Sequence, residues 1–215
     1  KTKLLTWLTI FTIAGVGAVL SSIYLYLSPK LPAVESLHSI QLQTPLRIFS
    51  SEGLLIGEFG EKRRTPITIA DTPEFFINAL LAAEDANFYQ HNGVSIKGLL
   101  RAVYHLVLTG QKQGGGSSLT MQVARNFFLT RKQTFSRKFN EILLAIQIEN
   151  DLSKEKILEL YINKIYLGKR AYGFEAAAKV YYGKSLKELN SPQLAMMAGL
   201  PKAPSAYNPI TNPER

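Results

Sequence analysis

The feature that most constrains this chain is one apolar run, residues 4–27, which contains no charged side chain. As a helix rising about 1.5 Å per residue, such a run exceeds the roughly 30 Å hydrocarbon core of a bilayer. It predicts a membrane-spanning helix and leaves the remaining residues to fold outside the lipid. A cleaved signal peptide has a shorter apolar core followed by a small-residue cleavage site, whereas Tyr24, Tyr26, Ser28 and Pro29 stand here. The run therefore reads as a retained anchor. Lys1 and Lys3 precede it and Lys30 lies close behind, which weakly favours a cytoplasmic N-terminus.

The chain has 215 residues, a formal net charge of +9 and no cysteine. That charge points to an anionic partner: nucleic acid, acidic headgroups or a phosphorylated substrate. For a domain anchored outside the cytoplasm nucleic acid fits worst, and none is expected. The lack of cysteine suits an exported domain large enough to fold without disulfides. Three scattered histidines without cysteine make no zinc site of the usual spacing.

After the anchor, residues 29–44 carry proline and serine with little periodicity and read as a linker. Residues 47–50 and 54–59 flank the turn-like Ser51-Glu52-Gly53 and predict a short β-hairpin. The rest reads as helix. Thr72-Pro73-Glu74 is a helix start, with a hydroxyl at the N-cap and proline at the first helical position, and that helix runs to about Asp85. Further helices are expected at 95–108, 117–128, 135–151, 154–165, 173–182 and 191–200, before a proline-rich tail.

Three segments carry chemistry. The first, FFINALLAAED at residues 75–85, is apolar nearly all round, predicts a buried helix, and ends in Glu84 and Asp85. A carboxylate there meets the negative end of the helix dipole, and partial burial also disfavours its charged form, as a general base requires. Solvation of a helix end is the plainer reading of Glu84. Phe88, His91 and Gly93 follow in a compact loop. The second, GGGSSLTMQVARN at residues 114–126, feeds a glycine run into a helix on which Ser118, Gln122 and Arg125 fall at i, i+4 and i+7, with Asn126 adjoining. Such a polar stripe can line a phosphate groove. It lacks the P-loop lysine, so nucleotide binding is unsupported, and a glycine hinge before an ordinary surface helix fits the stretch equally. The third, FNEILLAIQI at residues 139–148, is apolar except at Glu141, which has Arg137 and Lys138 one turn before it. A buried carboxylate needs such partners. A structural ion pair satisfies the pattern, yet two cations for one carboxylate leave charge for an anionic ligand.

EDANFYQHNG at 84–93, GGSSLTMQ at 115–122, RKFNE at 137–141 and KILELYINKIYLG at 156–168 resemble, in order and spacing, the motifs of the peptidoglycan glycosyltransferase domain (glycosyltransferase family 51). That domain occurs in class A penicillin-binding proteins and in monofunctional glycosyltransferases. The resemblance implies a mainly α, lysozyme-like, two-lobed domain, here with a short hairpin and one N-terminal transmembrane helix. It implies an anchor at 1–28, a linker at 29–45, the catalytic domain at 46–205, and the start of a linker to a transpeptidase domain at 206–215. The implied substrate is lipid II, polymerised with inversion into β-1,4-linked strands with release of undecaprenyl pyrophosphate at the bacterial inner membrane, beside other cell-wall synthesis proteins. Glu84 matches the general base and Glu141 the glutamate that assists departure of the pyrophosphate, directly or through a divalent cation, Mg2+ or Mn2+. No metal ligand is certain. Arg125, Arg137 and Lys138 match pyrophosphate-binding residues, with Ser118, Gln122 and Asn126 beside them. Asp85, Phe88 and His91 match residues that shape the substrate sites.

The usual second motif reads GGSTxTQQ, and this chain has Ser118 for the threonine and Met121 for the first glutamine. Serine keeps the hydroxyl, and Met121 is expected on the face opposite the groove. Helix 95–108, bulky and apolar with Lys97 and Arg101, fits either a core helix or one in the membrane interface. In the family this neighbourhood belongs to a jaw that dips into the membrane. Two rivals to glycosyl transfer are a lysozyme-like glycan-cleaving enzyme, which would need no pyrophosphate pocket, and a non-catalytic anchored scaffold, in which the two glutamates would have no task.

Overall fold

The computed structural model describes residues 2–40, 42–60, 62–110, 116–130, 135–212 and 214. Helix α1 (Thr2–Leu27) is the expected span. Its 22 residues Thr6–Leu27 are long and apolar enough to cross a membrane, and Trp7, Phe11, Ile13 and Leu25 are exposed. Strands β1 (Leu46–Phe49) and β2 (Leu55–Phe59) pair antiparallel, Leu46 opposite Phe59 and Ile48 opposite Gly57, which is the expected hairpin. Then follow α2 (Glu74–Glu84), α3 (Ile96–Thr109), α4 (Leu119–Phe128), α5 (Phe135–Asp151), α6 (Lys154–Lys164), α7 (Phe174–Tyr182) and α8 (Ser191–Gly199).

Helix ends follow local chemistry. Ser95, Ser118, Ser153 and Asn190 each accept a bond from a backbone N–H two or three residues into the next helix, and Gly110 and Gly183 close α3 and α7 in the left-handed conformation. The helix start at Thr72 is a correction. Thr72 Oγ1 donates backward to Thr68 O, finishing the 3-10 turn Ile69–Asp71, and Pro73 is the N-cap of α2 without a side-chain cap.

The core gathers on α6. Ile157, Leu158, Tyr161 and Ile162 are almost wholly buried, against Leu119 and Val123 of α4, Leu144 and Ile148 of α5, Phe174 of α7 and Met197 of α8. Full burial of each such side chain stabilises by about 1.5–3 kcal/mol. Helix α2 buries only the stripe Phe76 and Leu80, against α8 and the Phe174 ring at 4.7 Å, and leaves Phe75 exposed. Apolar sequence all round therefore did not mean burial all round, because α2 has packing partners on one side. Residues 29–45, linker-like in composition, put Val34 and Leu37 into the core, and His38 Nε2 lies 2.9 Å from Asp151 Oδ2 on α5.

Candidate active site

Glu84 is the last residue of α2, and the chain leaves the helix at Asp85 with φ −159°. One carboxylate oxygen of Glu84, Oε2, accepts from Gln122 Nε2 at 2.8 Å, and Gln122 Oε1 faces Arg125 Nη2 at 3.5 Å. Gln122 and Arg125 lie one turn apart on α4, so this part of the expected stripe reaches the carboxylate, whereas Ser118 at its start caps the helix instead. Beneath it, on α6, the Tyr161 phenol is wholly buried and its oxygen has no hydrogen-bond partner among the described residues. Burial holds that phenol well above its ordinary range, the charge of Glu84 adds to the effect, and Arg125 opposes it.

Helix α5 supplies the second cluster. Glu141, 1 % exposed, holds Arg137 Nε at 3.2 Å on one oxygen and Lys138 Nζ at 2.9 Å on the other, the pairing that the one-turn spacing predicts. Lys138 Nζ also donates to Ser117 Oγ at 2.6 Å. Arg125, Asn126 and Arg137 line one groove of about 570 Å³, continued by Lys164, Tyr166, Tyr172, Pro201 and Pro204. Asn126 Nδ2 is buried there without a partner among the described residues. Two cations already occupy Glu141, and the described residues hold no group of three His, Cys, Asp or Glu able to bind a metal ion.

The remaining candidates hold the frame. Asp85 Oδ2 accepts from Leu119 N at 2.9 Å, at the start of α4, and from His91 Nε2 at 3.0 Å. With Nε2 as that donor, His91 Nδ1 is left buried without a partner among the described residues. Phe88 is 1 % exposed beneath Lys154, whose Nζ sits 4.4 Å from the ring centroid and donates to His91 O and Glu149 Oε1. Asp85, Phe88 and His91 thereby lock the loop between α2 and α3 onto α4 and α6. Ser118 is 2 % exposed, and its hydroxyl is spent on Met121 N and Gly93 O. The hydroxyl that meets Lys138 is that of the neighbouring Ser117, which sequence reasoning passed over. Only the turn into α4 decides which serine caps the helix and which meets Lys138. Gly114 and Gly115 of the glycine run lie outside the described residues, and Met121 is fully buried, away from the groove. Replacing Ser118 by Ala should lower stability by about 1 kcal/mol in thermal unfolding, whereas Ser117→Ala should stay within about 0.5 kcal/mol. The reverse order would contradict this assignment.

A second cavity, about 450 Å³, lies between Ile40, Ile67, Asp71, Lys156, Glu159 and Glu175. Its charges are satisfied internally: Lys187 on Asp71, Lys156 on Glu159, and Leu186 N and Lys179 on Glu175. The groove beside Glu84 has cations to spare, and that difference makes it the better candidate.

The family model described as Transglycosylase matches residues 52–215. Penicillin-binding protein 1A of Pseudomonas aeruginosa is 60% identical over 213 residues, covering 99% of this chain and 26% of that protein. Penicillin-binding protein 1A of Neisseria gonorrhoeae is 54% identical over 205 residues, covering 95% of this chain and 26% of its own length. A crystal structure of penicillin-binding protein 1A from Haemophilus influenzae is 32% identical, covering 80% of this chain and 16% of that one, with a TM-score of 0.39. The chain thus spans about a quarter of the length of the curated relatives it matches.

Proposed function

This chain belongs to the transglycosylase family, and we propose that its domain polymerises lipid II into β-1,4-linked glycan with release of undecaprenyl pyrophosphate. The observation that carries the reading is that one carboxylate, Glu84, is linked through Gln122 to Arg125, which with Arg137 and Lys164 lines a groove whose lining includes no carboxylate. Glu84 takes the proton from the acceptor sugar's 4-hydroxyl as that oxygen attacks C1 of the donor. The new C1–O bond forms on the face opposite the phosphate, so configuration inverts. The C1–O bond to pyrophosphate breaks, and its electron pair leaves on a phosphate oxygen. Arg137, with Arg125 lining the same groove, meets that developing charge, and Lys138 on the other oxygen of Glu141 adds to the positive field. Gln122 orients Glu84 by its bond to one oxygen, so the other is the oxygen offered to the acceptor.

A glycan-cleaving enzyme would share a carboxylic acid but would expel an uncharged sugar, and Arg125, Arg137 and Lys138 would have no counterpart. The two readings separate on phosphorus. In 31P spectra of a lipid II reaction, one undecaprenyl pyrophosphate should appear per glycosidic bond made, and shortened glycan with no released pyrophosphate would support cleavage instead.

Both lipid-linked partners lie in the bilayer, and α1 keeps the groove at their level, in the bacterial inner membrane with its N-terminus in the cytoplasm. Helix α3 adds a second contact. Ile96, Leu100, Val103, Tyr104, Val107 and Leu108 are all more than half exposed and recur at helical spacing, so they form one apolar stripe. Only Gly98 of α3 is buried, and a Cβ on Gly116 would come 2.8 Å from Ala102 Cβ, so α3 is pinned to the entry of α4 by the close approach of small residues. Leu100→Glu with Val107→Glu is expected to cut polymerisation in liposomes by about fivefold while detergent activity stays within about twofold. Equal losses in both media would place the stripe outside the bilayer.

A further inference from the structure

Residues 62–64 run beside residues 170–172: Arg63 N donates to Arg170 O at 3.0 Å, and Tyr172 N to Arg63 O at 2.9 Å. The turn leading into them holds Gly168, Lys169 and Arg170 all at positive φ, costly for the two non-glycine residues. This pairing brings Lys62 Nζ to 5.7 Å and Arg64 Cζ to 5.2 Å from the Tyr172 ring centroid, and the Tyr172 ring packs on Tyr166 at 5.1 Å. Tyr166 and Tyr172 both line the groove, as does Lys164, whose Nζ lies 4.3 Å from the Phe127 ring centroid.

Among the described residues none of these three cations has a carboxylate partner. Arg64 is 4 % exposed, with Nε unpartnered among the described residues and only a 3.5 Å contact from Nη1 to Gln43 O. Neither Lys62 nor Lys164 forms an ion pair among the described residues, whereas Lys138, Lys154 and Lys156 each do. Burial lowers Lys164 below the ordinary lysine range, and the charges of Arg64 and Lys62 lower it further. Burial also lowers Arg64. A fold that gathers three cations, of which Arg64 is buried and Lys164 half-buried, around two aromatic rings beside a groove, with no carboxylate partner among the described residues, is suited to receive an anion.

We propose that the groove end formed by Lys164 and Tyr172, backed by Arg64 and Lys62, is a second oxyanion subsite, separate from Arg137, Lys138 and Glu141, for a carboxylate or phosphate borne by the saccharide substrate. The proposal rests on the glycosyl-transfer reading for the identity of the substrate, and on the cation cluster alone for the existence of the site. Lys164 makes the direct contact, because it lines the groove. Arg64 and Lys62 supply field over Tyr172, and the paired tyrosines offer flat faces to the sugar.

The test follows the lysine 13Cε resonances of the whole chain in detergent across pH, with the Lys164 signal assigned by Lys164→Gln and inorganic pyrophosphate as the probe. Pyrophosphate should raise the Lys164 titration midpoint, also in an Arg137→Ala background that weakens the other cluster. A midpoint unmoved by saturating pyrophosphate overturns the subsite. Because this readout needs no turnover, it stands apart from failure of the polymerase reading, which would show as wild-type protein making no glycan. In kinetics, Lys164→Gln should raise KM for lipid II about tenfold with kcat little changed. The same rise on a lipid-linked disaccharide without its peptide assigns the anion to phosphate, loss of the effect assigns it to a peptide carboxylate, and no KM change on either substrate refutes the proposal.

Discussion

Glu84→Gln is expected to reduce lipid II polymerisation on the order of 10³-fold, within the range of an enzyme losing its general base. Glutamine keeps the size of the side chain and an oxygen to accept from Gln122 Nε2, which now donates to Glu84 Oε2 at 2.8 Å. The Gln122–Arg125 contact and the packing of Tyr161 beneath can therefore persist. What disappears is the oxygen able to carry a proton away from the acceptor hydroxyl. Thermal unfolding should shift by no more than the usual surface-mutation range, about 0.5 kcal/mol. Activity within threefold of wild type, at unchanged stability, would remove Glu84 from the chemical step and leave it a helix-end carboxylate.

Gly93→Ala is expected to be strongly damaging although it lies outside the groove. Gly93 sits at φ +80°, and a Cβ there would lie 2.6 Å from Ala145 O, 2.9 Å from Ala145 C and 2.9 Å from Glu149 Cγ. The strained φ costs about 1–2 kcal/mol. The overlap with α5 backbone, which cannot give way as a flexible side chain can, adds about 1–3 kcal/mol. The damage should spread along identified bonds, because Gly93 O accepts from Ser118 Oγ and the neighbouring His91 holds both Asp85 and Lys154. Asp85 in turn fixes the start of α4, and α4 carries Gln122 to Glu84. Activity should fall along with thermal stability. A stable but inactive variant would mean that the loop acts on substrate directly.

How much of this was legible in the chain differs from residue to residue for physical reasons. The Glu141 pair could be read because Arg137 and Lys138 stand one helical turn away, where geometry is set by the helix itself. The hairpin and the long helices could be read for the same reason: turn residues and serine caps act within a few positions. Thr72 misled because a hydroxyl can bond backward as well as forward, and Thr68 stood four residues behind it. Helix α2 misled because burial depends on which neighbours arrive, and its buried stripe packs chiefly on α8 and the Phe174 ring of α7. The Lys62–Arg64–Lys164 cluster gave no signal at all. It joins segments about a hundred residues apart through two backbone hydrogen bonds, and each residue alone looks like part of an ordinary basic surface.

The central claim is tested most directly by incubating the chain with labelled lipid II in detergent, and separately with finished glycan strands, and sizing the products of both. The expected result is growth of long strands from lipid II, absent in Glu84→Gln, with the finished strands left at their original length. Strands that shorten, with lipid II left unpolymerised, would contradict it.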